Sequence, residues 1–286
     1  GDLLGALYAA KLKVPYLVVR DYALPGFAGP RTLFIASSYS GNTEETLSGY
    51  EQAKERGCKV LAATSGGKLA AWARRDGFPY LAIPAGYMPR AALGYSFFPL
   101  LAALGRLGLL PDASLEVEET VAVLKEGVGR LGRRVPEAAN PAKEIARWFH
   151  GAYPLIYAAG AWPGVVAMRW KTQINENAKN LAFWNVLPEL NHNETVGYEA
   201  PPELIRKIRV LFLLTGEESV RQAKRIEVTR GIIDRAGAAT RTLTAAGRSS
   251  LAKMMSLIQY GDFVSLYLAM LNGVDPTPVK VIDLLK

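Results

Sequence analysis

A turn rich in hydroxyl groups, placed between an apolar segment and a predicted helix, has the clearest chemistry in this sequence. The apolar residues 33–36 are followed by Ser37, Ser38, Ser40, Gly41, Asn42 and Thr43. The first turn of a helix leaves N–H groups and a positive dipole end for an anion, and Gly41 lets the backbone approach a ligand closely. Because the hydroxyls of Ser38, Ser40 and Thr43 add further donors, the turn predicts a phosphate-binding site. A simple N-cap would need only one such residue.

Nucleotide-binding loops and metal clusters fit the sequence less well. We expect no Gly-x-Gly-x-x-Gly motif in the chain, and Gly67-Lys68 fails the P-loop pattern because Ala62 and Leu69 occupy its Gly and Ser/Thr positions. Two histidines and one cysteine do not supply the ligand clusters that zinc prefers, and Cys58 is expected to be a small buried hydrophobe. We therefore expect neither a metal nor an organic cofactor.

A second candidate site lies on a predicted helix in the second half of the chain. Helical spacing predicts a polar face that contains Arg169, Gln173, Glu176 and Asn180. The opposite face, directed to the core, contains Trp170, Ile174, Ala178 and Leu181. The Glu176 carboxylate is either held by neighbouring amides in a cleft or exposed and paired with Lys179.

His192 stands in a polar, helix-breaking loop, Asn191-His-Asn-Glu194, and is one of only two histidines. Histidine takes up and releases protons near neutral pH, so it can serve as both acid and base. With Glu176 it would provide the two proton-transfer groups that an aldose–ketose isomerase needs.

The elements that position these residues are predicted from alternating apolar runs and amphipathic stretches. Strands are predicted at 16–20, 32–37, 59–64, 79–83, 155–159, 210–215 and 240–244, and helices at 41–56, 69–76, 92–107, 165–181, 218–236 and 249–271. This order indicates an α/β fold with mostly parallel sheets flanked by helices. The Glu- and Arg-rich residues 111–141 predict a solvated linking helix with loops, a boundary near Asn140 and domains 1–140 and 141–286. A single larger doubly wound sheet is the alternative.

Several motifs together resemble one enzyme family. Ser-Tyr-Ser-Gly-Asn-Thr-Glu-Glu-Thr at 38–46 resembles the signature of the sugar isomerase (SIS) domain, whose loop binds sugar phosphates. With Asn-Glu-Asn-Ala-Lys at 175–179, Pro-Glu-Leu-Asn-His-Asn-Glu at 188–194 and the closing Asp-Pro-Thr-Pro-Val, the chain resembles the bifunctional phosphoglucose/phosphomannose isomerases from end to end. The resemblance implies two SIS-type domains that convert glucose 6-phosphate and mannose 6-phosphate to fructose 6-phosphate through a cis-enediol. Family members carry a Gly-Gly-Ser loop before the Gly-Asp-Leu-Leu at 1–4, so the first domain is expected to lack that loop and its first strand.

The resemblance also implies roles for individual residues. Glu176 matches the general base, and His192 matches the residue that handles the ring oxygen at the site of the other subunit. Lys286 matches a lysine that approaches the sugar, with Lys280 as the alternative, and Arg90 matches the arginine that stabilises the intermediate. A homodimer with shared active sites that binds hexose 6-phosphates is therefore expected.

The charge and hydropathy of the sequence limit the classes of partner that the protein is expected to have. The 34 Lys and Arg residues exceed the 26 Asp and Glu residues by eight, but they are scattered and do not interleave with aromatics. This surplus suits small anionic substrates, and we expect no nucleic-acid partner. Apolar runs are interrupted before they could span a bilayer, and residues 1–10 lack a secretory pattern, so we expect a cytoplasmic protein without membrane contact.

Two other functions of SIS domains fit the sequence less well than the isomerase. A non-catalytic sugar-phosphate regulator usually carries a DNA-binding segment, whereas no helix-turn-helix pattern is evident, and it would not need both Glu176 and His192. An aminosugar-phosphate isomerase of the amidotransferase type would need a glutaminase half, and Cys58 stands at a strand start instead of at an N-terminus.

Overall fold

The computed structural model describes residues 1–284, and these form an α/β protein with two compact units. The first unit contains Leu3–Ala113, and the second begins at Ser114. Each unit has its own parallel sheet, so the single larger sheet considered as the alternative is wrong.

The first unit is built on a three-stranded parallel sheet in the order β1-β2-β3. Its elements are α1 (Asp2–Leu7), β1 (Leu33–Ser37), α2 (Glu44–Glu55), β2 (Lys59–Thr64), α3 (Gly67–Asp76), β3 (Tyr80–Ala82), a 3-10 turn (Pro89–Ala91) and α4 (Leu93–Arg106). The core under α2 and α3 includes Ala36, Tyr50, Ala62 and Leu69, and Cys58 is buried there as predicted. This sheet places the loops after β1, β2 and β3 at one edge.

The second unit has a four-stranded parallel sheet in the order β5-β4-β6-β7. Its helices are α5 (Ser114–Leu131), α6 (Pro141–Phe149), α7 (Ala161–Ala178), α8 (Pro202–Ile205), α9 (Val220–Ala236), α10 (Ser250–Leu271) and α11 (Lys280–Asp283). Its strands are β4 (Tyr153–Ala159), β5 (Phe183–Leu187), β6 (Ile208–Leu214) and β7 (Ala239–Thr244), and 3-10 turns cover Glu137–Ala139, Glu189–His192 and Glu194–Glu199.

Helix α10 is the central helix of the second unit and packs against α5, α6 and α7. By length and composition alone it could cross a membrane, but more than half of its apolar stretch is buried inside the protein. Its most extensive contact is with α7, where the fully buried Trp170 donates its Nε1 hydrogen to Leu257 O at 2.8 Å. A core position therefore accounts for its apolar character.

The domain boundary predicted near Asn140 falls inside the second unit. Asn140 is buried; its Oδ1 accepts hydrogen bonds from Ala142 N and Lys143 N at the start of α6, and its Nδ2 donates to Leu131 O at the end of α5. This side chain joins α5 to α6, and α5 packs on α10. The predicted linker 111–141 is thus mostly a packed helix, because its apolar residues give it a face that packs toward α10.

Two further sequence interpretations need correction. The strand predicted at 16–20 is wrong, because these residues adopt no regular structure. Strand β5 was missed because Asn185 interrupts the apolar residues of Phe183-Trp-Asn-Val-Leu187, so the segment is neither a continuous apolar run nor an alternating one. The glycines at 127, 129 and 132 match Gly-x-Gly-x-x-Gly in letters, but they lie at the end of α5 instead of after a strand. The other predicted strands and helices are confirmed within a few residues.

Gly261 on α10 makes the close contact with Trp170 possible, and its replacement tests that contact. A Cβ at position 261 would lie 2.5 Å from Trp170 Nε1, so Gly261→Ala should lower the free energy of unfolding by about 1–3 kcal/mol. Urea unfolding measures the change. Gly129→Ala on α5 is the matched control, because its Cβ would meet nothing within 4 Å and should stabilise the helix by up to ~1 kcal/mol. Equal stability of the two variants would contradict the proposed tight contact.

Candidate active site

The turn after β1 is held in shape by its own hydroxyl groups. The Ser38 side chain is buried, and its Oγ accepts a hydrogen bond from Gly41 N at 3.1 Å and lies 2.8 Å from Thr43 Oγ1. Ser40 is exposed, and its Oγ accepts a hydrogen bond from Asn42 N at 3.3 Å. Thr43 is also exposed, so Ser40 and Thr43 present hydroxyls to solvent while Ser38 shapes the turn.

Two glycines lock this turn against the loop that follows β2. Gly41 has φ 71°, and a Cβ there would lie 1.9 Å from Gly66 O. Gly67 has φ 67°, and its Cβ would lie 2.3 Å from Ser40 O. Leu69 N also donates to Gly41 O at 2.9 Å. Only glycine fits at both positions, because a side chain would collide with the opposite backbone.

The N-terminus of helix α2 opens onto the same turn. Among the described residues, no side chain caps its first turn, so the first N–H groups and the positive end of the dipole are available to an anion. Glu44 and Glu45 lie in that first turn, so a bound phosphate would share this end with two carboxylates. The donors for it would be the backbone amides and the exposed hydroxyls.

Arg90 lies at the same edge of the first sheet, and a tyrosine connects the loop that carries Arg90 to the hydroxyl-rich turn after β1. Arg90 is half-buried in the 3-10 turn Pro89–Ala91, which follows β3. Tyr39 OH donates to Pro84 O at 3.0 Å and accepts from Tyr87 N at 2.9 Å. The turn with Ser40 and the loop with Arg90 are therefore parts of one hydrogen-bonded edge.

Glu176 lies near the end of α7, beside a polar seam with α10. Arg169 donates to both carboxylate oxygens of Asp262 at 3.1 Å, and Gln173 Nε2 donates to Asp262 Oδ1 at 2.7 Å. Glu176 itself is half-buried, and Lys179 Nζ donates to its main-chain oxygen.

The predicted faces of α7 are correct up to the end of the helix and wrong beyond it. Trp170, Ile174 and Ala178 are fully buried as expected. The helix stops at Ala178, where Lys179 adopts a left-handed conformation with φ 52°. Because helical spacing no longer applies after this residue, Leu181 is 63% exposed instead of facing the core.

His192 lies at the other end of the second sheet. Helix α7 follows β4 and runs back along the sheet, so Glu176 lies near the amino ends of the strands. The chain then enters β5 and reaches the exposed His192 after its carboxyl end. The two predicted proton-transfer residues of one chain are therefore separated by the length of a five-residue strand, roughly 15 Å.

The equivalent turn of the second sheet is filled by its own carboxylate. After β6, Glu218 accepts hydrogen bonds from Thr215 N, from Thr215 Oγ1 at 2.8 Å and from Gly216 N at 3.1 Å. The neighbouring Glu217 pairs with the buried Lys253 at 2.5 Å. The donors that could hold an external anion here are thus already used, which sets this turn apart from the one after β1.

The remaining sequence predictions can be placed in part. Lys286 lies outside the described residues, and the alternative, Lys280, is exposed at the first position of α11. Among the described residues, no three His, Cys, Asp or Glu side chains are grouped as metal ligands. Sequence reasoning assigned no role to Tyr39 or Glu194, although both lie within motifs that it singled out.

Comparison of the sequence with known proteins places the chain in one family. A family model described as the bacterial phospho-glucose isomerase C-terminal SIS domain matches residues 138–286. A bifunctional phosphoglucose/phosphomannose isomerase from Caldicellulosiruptor bescii is 47% identical over the whole chain and 84% of its own length. One from Aquifex aeolicus is 39% identical over 95% of this chain and 80% of its own length.

Comparison with solved structures gives the fold. A glucose-6-phosphate isomerase-like protein from Thermus thermophilus aligns with a TM-score of 0.58 over 90% of this chain and 89% of its own, at 24% identity. Parallel sheets flanked by helices give the α/β fold that was predicted, and the family model assigns residues 138–286 to an SIS domain. The chain belongs to the bifunctional phosphoglucose/phosphomannose isomerase family.

Proposed function

We propose that this protein interconverts glucose 6-phosphate and mannose 6-phosphate with fructose 6-phosphate. The observation that carries the proposal is the 47% identity, over the whole chain, to a relative named for both activities. The hydroxyl turn after β1 supports it, because a preformed set of amide and hydroxyl donors suits a sugar phosphate.

The proposed reaction begins with the phosphate at the turn. Ser40, Thr43 and the first amides of α2 hold the phosphate, and Gly41 allows them to approach it. This binding energy positions carbons that lie several bonds away from the phosphate. His192, together with Lys286, moves the proton that opens the sugar ring.

Proton transfer between carbons follows ring opening. Glu176 removes the proton from C2, and the electron pair left behind forms the C1–C2 double bond of a cis-enediolate while the C1 carbonyl oxygen becomes negative. Arg90 stabilises that charge while a proton passes from O2 to O1, which moves the negative charge to O2. Glu176 then returns the abstracted proton to C1 as the C2 carbonyl of the ketose forms. Return of the proton to the other face of C2 gives the mannose epimer.

A homodimer with shared sites is part of the proposal. Within one chain, Glu176 and His192 lie at opposite ends of the second sheet, too far apart to act on one hexose. A second copy can supply the missing partner through a two-fold interface. We also infer that the protein works in the cytoplasm, where hexose phosphates occur.

Replacement of Glu176 tests the role of the base. Glu176→Gln removes the group that takes the C2 proton, so kcat should fall by roughly 10²–10⁴-fold while the protein stays folded. A coupled assay for fructose 6-phosphate formation, run with EDTA present, measures the loss.

Glu227→Gln is the matched control, since Glu227 is 70% exposed on α9 and pairs only with Lys224 among the described residues. Parental activity in this variant would show that loss of one negative charge is harmless. A parent protein that binds sugar phosphate but does not turn it over would instead indicate a non-catalytic regulator.

Removal of a turn hydroxyl tests phosphate binding. Ser40→Ala deletes an exposed hydroxyl without removing either partner of the half-buried Ser38–Thr43 contact, so KM should rise roughly 10-fold with little change in kcat. Ser48→Ala on α2 is the control, because its hydroxyl donates to Tyr22 O instead of facing the turn. A KM for Ser40→Ala equal to that of the control would exclude the turn as the phosphate site.

Mixing two inactive variants tests the shared site. In a dimer of Glu176→Gln and His192→Ala chains, one site contains both substitutions and the other contains neither. Random mixing should therefore restore about a quarter of the parental activity. Coupled assays before and after subunit exchange, with light scattering to count subunits, measure it. No recovery in a mixture shown to exchange would place both residues of each site in one chain.

A further inference from the structure

The loop that carries His192 is fixed to the sheet by a compact polar cluster. This Glu194 cluster consists of the side chains of Tyr157, Asn185, Glu194 and Tyr198. The Glu194 carboxylate accepts a hydrogen bond from Tyr157 OH on one oxygen and from Asn185 Nδ2 on the other. Tyr157 lies on β4 and Asn185 on β5, so one carboxylate joins the loop to two strands.

The cluster places a charged group in a mostly buried setting. Tyr157 is fully buried, Tyr198 is nearly so, and their hydroxyl oxygens lie 2.8 Å apart. Burial raises the pKa of both tyrosines far above their ordinary value, so both hydroxyls keep their protons. Among the described residues, the side-chain donors to Glu194 are neutral groups, which makes correct hydrogen-bond geometry essential for holding the charge.

A second contact holds the loop on the other side of His192. Asn191 Nδ2 donates to Thr229 Oγ1 on α9 at 2.8 Å, and the adjacent Leu190 is fully buried in the core. The histidine between Asn191 and Glu194 remains exposed. His192 is therefore held on both sides by neighbours within two residues, while its own side chain stays accessible.

Stability alone does not account for a carboxylate at this position. Leu190 and Tyr198 already bury apolar surface that anchors the loop. A partly buried charge adds little net stability, because its desolvation cost offsets the hydrogen bonds it accepts. Such a charge does restrict geometry, since only one arrangement of the loop satisfies both of its oxygens.

We propose that Glu194 is a positioning residue that sets the orientation of His192 for opening the sugar ring. The inference rests on the proposed function, because it assumes the ring-opening role of His192. Glu194 itself does not touch the reacting atoms. Its carboxylate fixes the backbone two residues away, and the imidazole follows that backbone.

Glu194→Gln tests the proposal with two substrates. Glucose 6-phosphate is a ring that must open, whereas 4,5-dideoxyglucose 6-phosphate keeps the six-carbon spacing to the phosphate but lacks the O4 and O5 that would close a ring. Glu194→Gln should lower kcat for glucose 6-phosphate about 10-fold with little change in KM, and leave turnover of the open-chain dideoxy substrate within about two-fold. Glu199→Gln, an exposed glutamate at the end of the same loop, should change neither.

A double variant separates positioning from general damage to the fold. If Glu194 acts through His192, adding Glu194→Gln to His192→Ala should cause no further loss of glucose 6-phosphate turnover. A further loss in the double variant, or an equal loss for the two substrates, would show that Glu194 only supports the fold and would overturn the proposal.

Nuclear magnetic resonance of the histidines gives a readout that needs no activity. The chain has two histidines, so His150 serves as an internal reference for His192. Glu194→Gln should shift or broaden the ring signals of His192 but not those of His150, and Glu199→Gln should alter neither. Unchanged His192 signals would overturn the positioning role even if the parent proved to have no isomerase activity, a result that would reject the proposed function separately.

Discussion

The parallel pairing of every strand in both sheets is the constraint on which the arrangement of the candidate site depends. Parallel strands return by way of helices, so the loops that follow strands emerge at one edge of a sheet and the carboxyl ends of the returning helices lie at the other. Three loops of interest follow strands: the hydroxyl-rich turn follows β1, the Arg90 loop follows β3, and the His192 loop follows β5. Glu176 stands near the end of a returning helix and so lies at the opposite edge of its sheet. Within the second unit, the two residues proposed to transfer protons therefore lie at opposite edges of the sheet, and for this reason the proposed chemistry calls for a second copy.

Both sheets contain the same kind of strand-to-helix turn, but the two turns differ in whether their donor groups are already hydrogen-bonded. After β1, glycines at 41 and 67 let two backbones interlock, and the amides and hydroxyls that remain are available to a ligand. After β6, Glu218 fills the turn with a carboxylate of the chain itself. The two turns have the same fold and differ only in what accepts their hydrogen bonds. When a carboxylate of the chain accepts them, no donors remain for a phosphate.

Rigid support surrounds the residues proposed to act on the sugar. Trp170 lies under Gly261, and the Arg169–Asp262 pair lies on the polar side of the same two helices, so α7 is held on two faces ahead of Glu176. His192 is held between the Asn191 contact with α9 and the Glu194 cluster. Accessible side chains on well-held backbones would suit the proposed proton transfer, because small displacements of the reacting groups are costly.

Local sequence pattern was sufficient to predict the α/β class, most strands and helices, and the existence of a hydroxyl-rich turn between β1 and α2, since these depend on periodicity and on a few adjacent residue types. It failed for β5 and for residues 16–20, where strand pairing decides the outcome, and it did not show that α5 packs on α10 of the second unit. It also could not show that Tyr157 and Asn185 bind Glu194, or that Gly41 meets Gly66. Those contacts join residues far apart along the chain, and only the folded backbone brings their atoms within hydrogen-bonding or van der Waals distance.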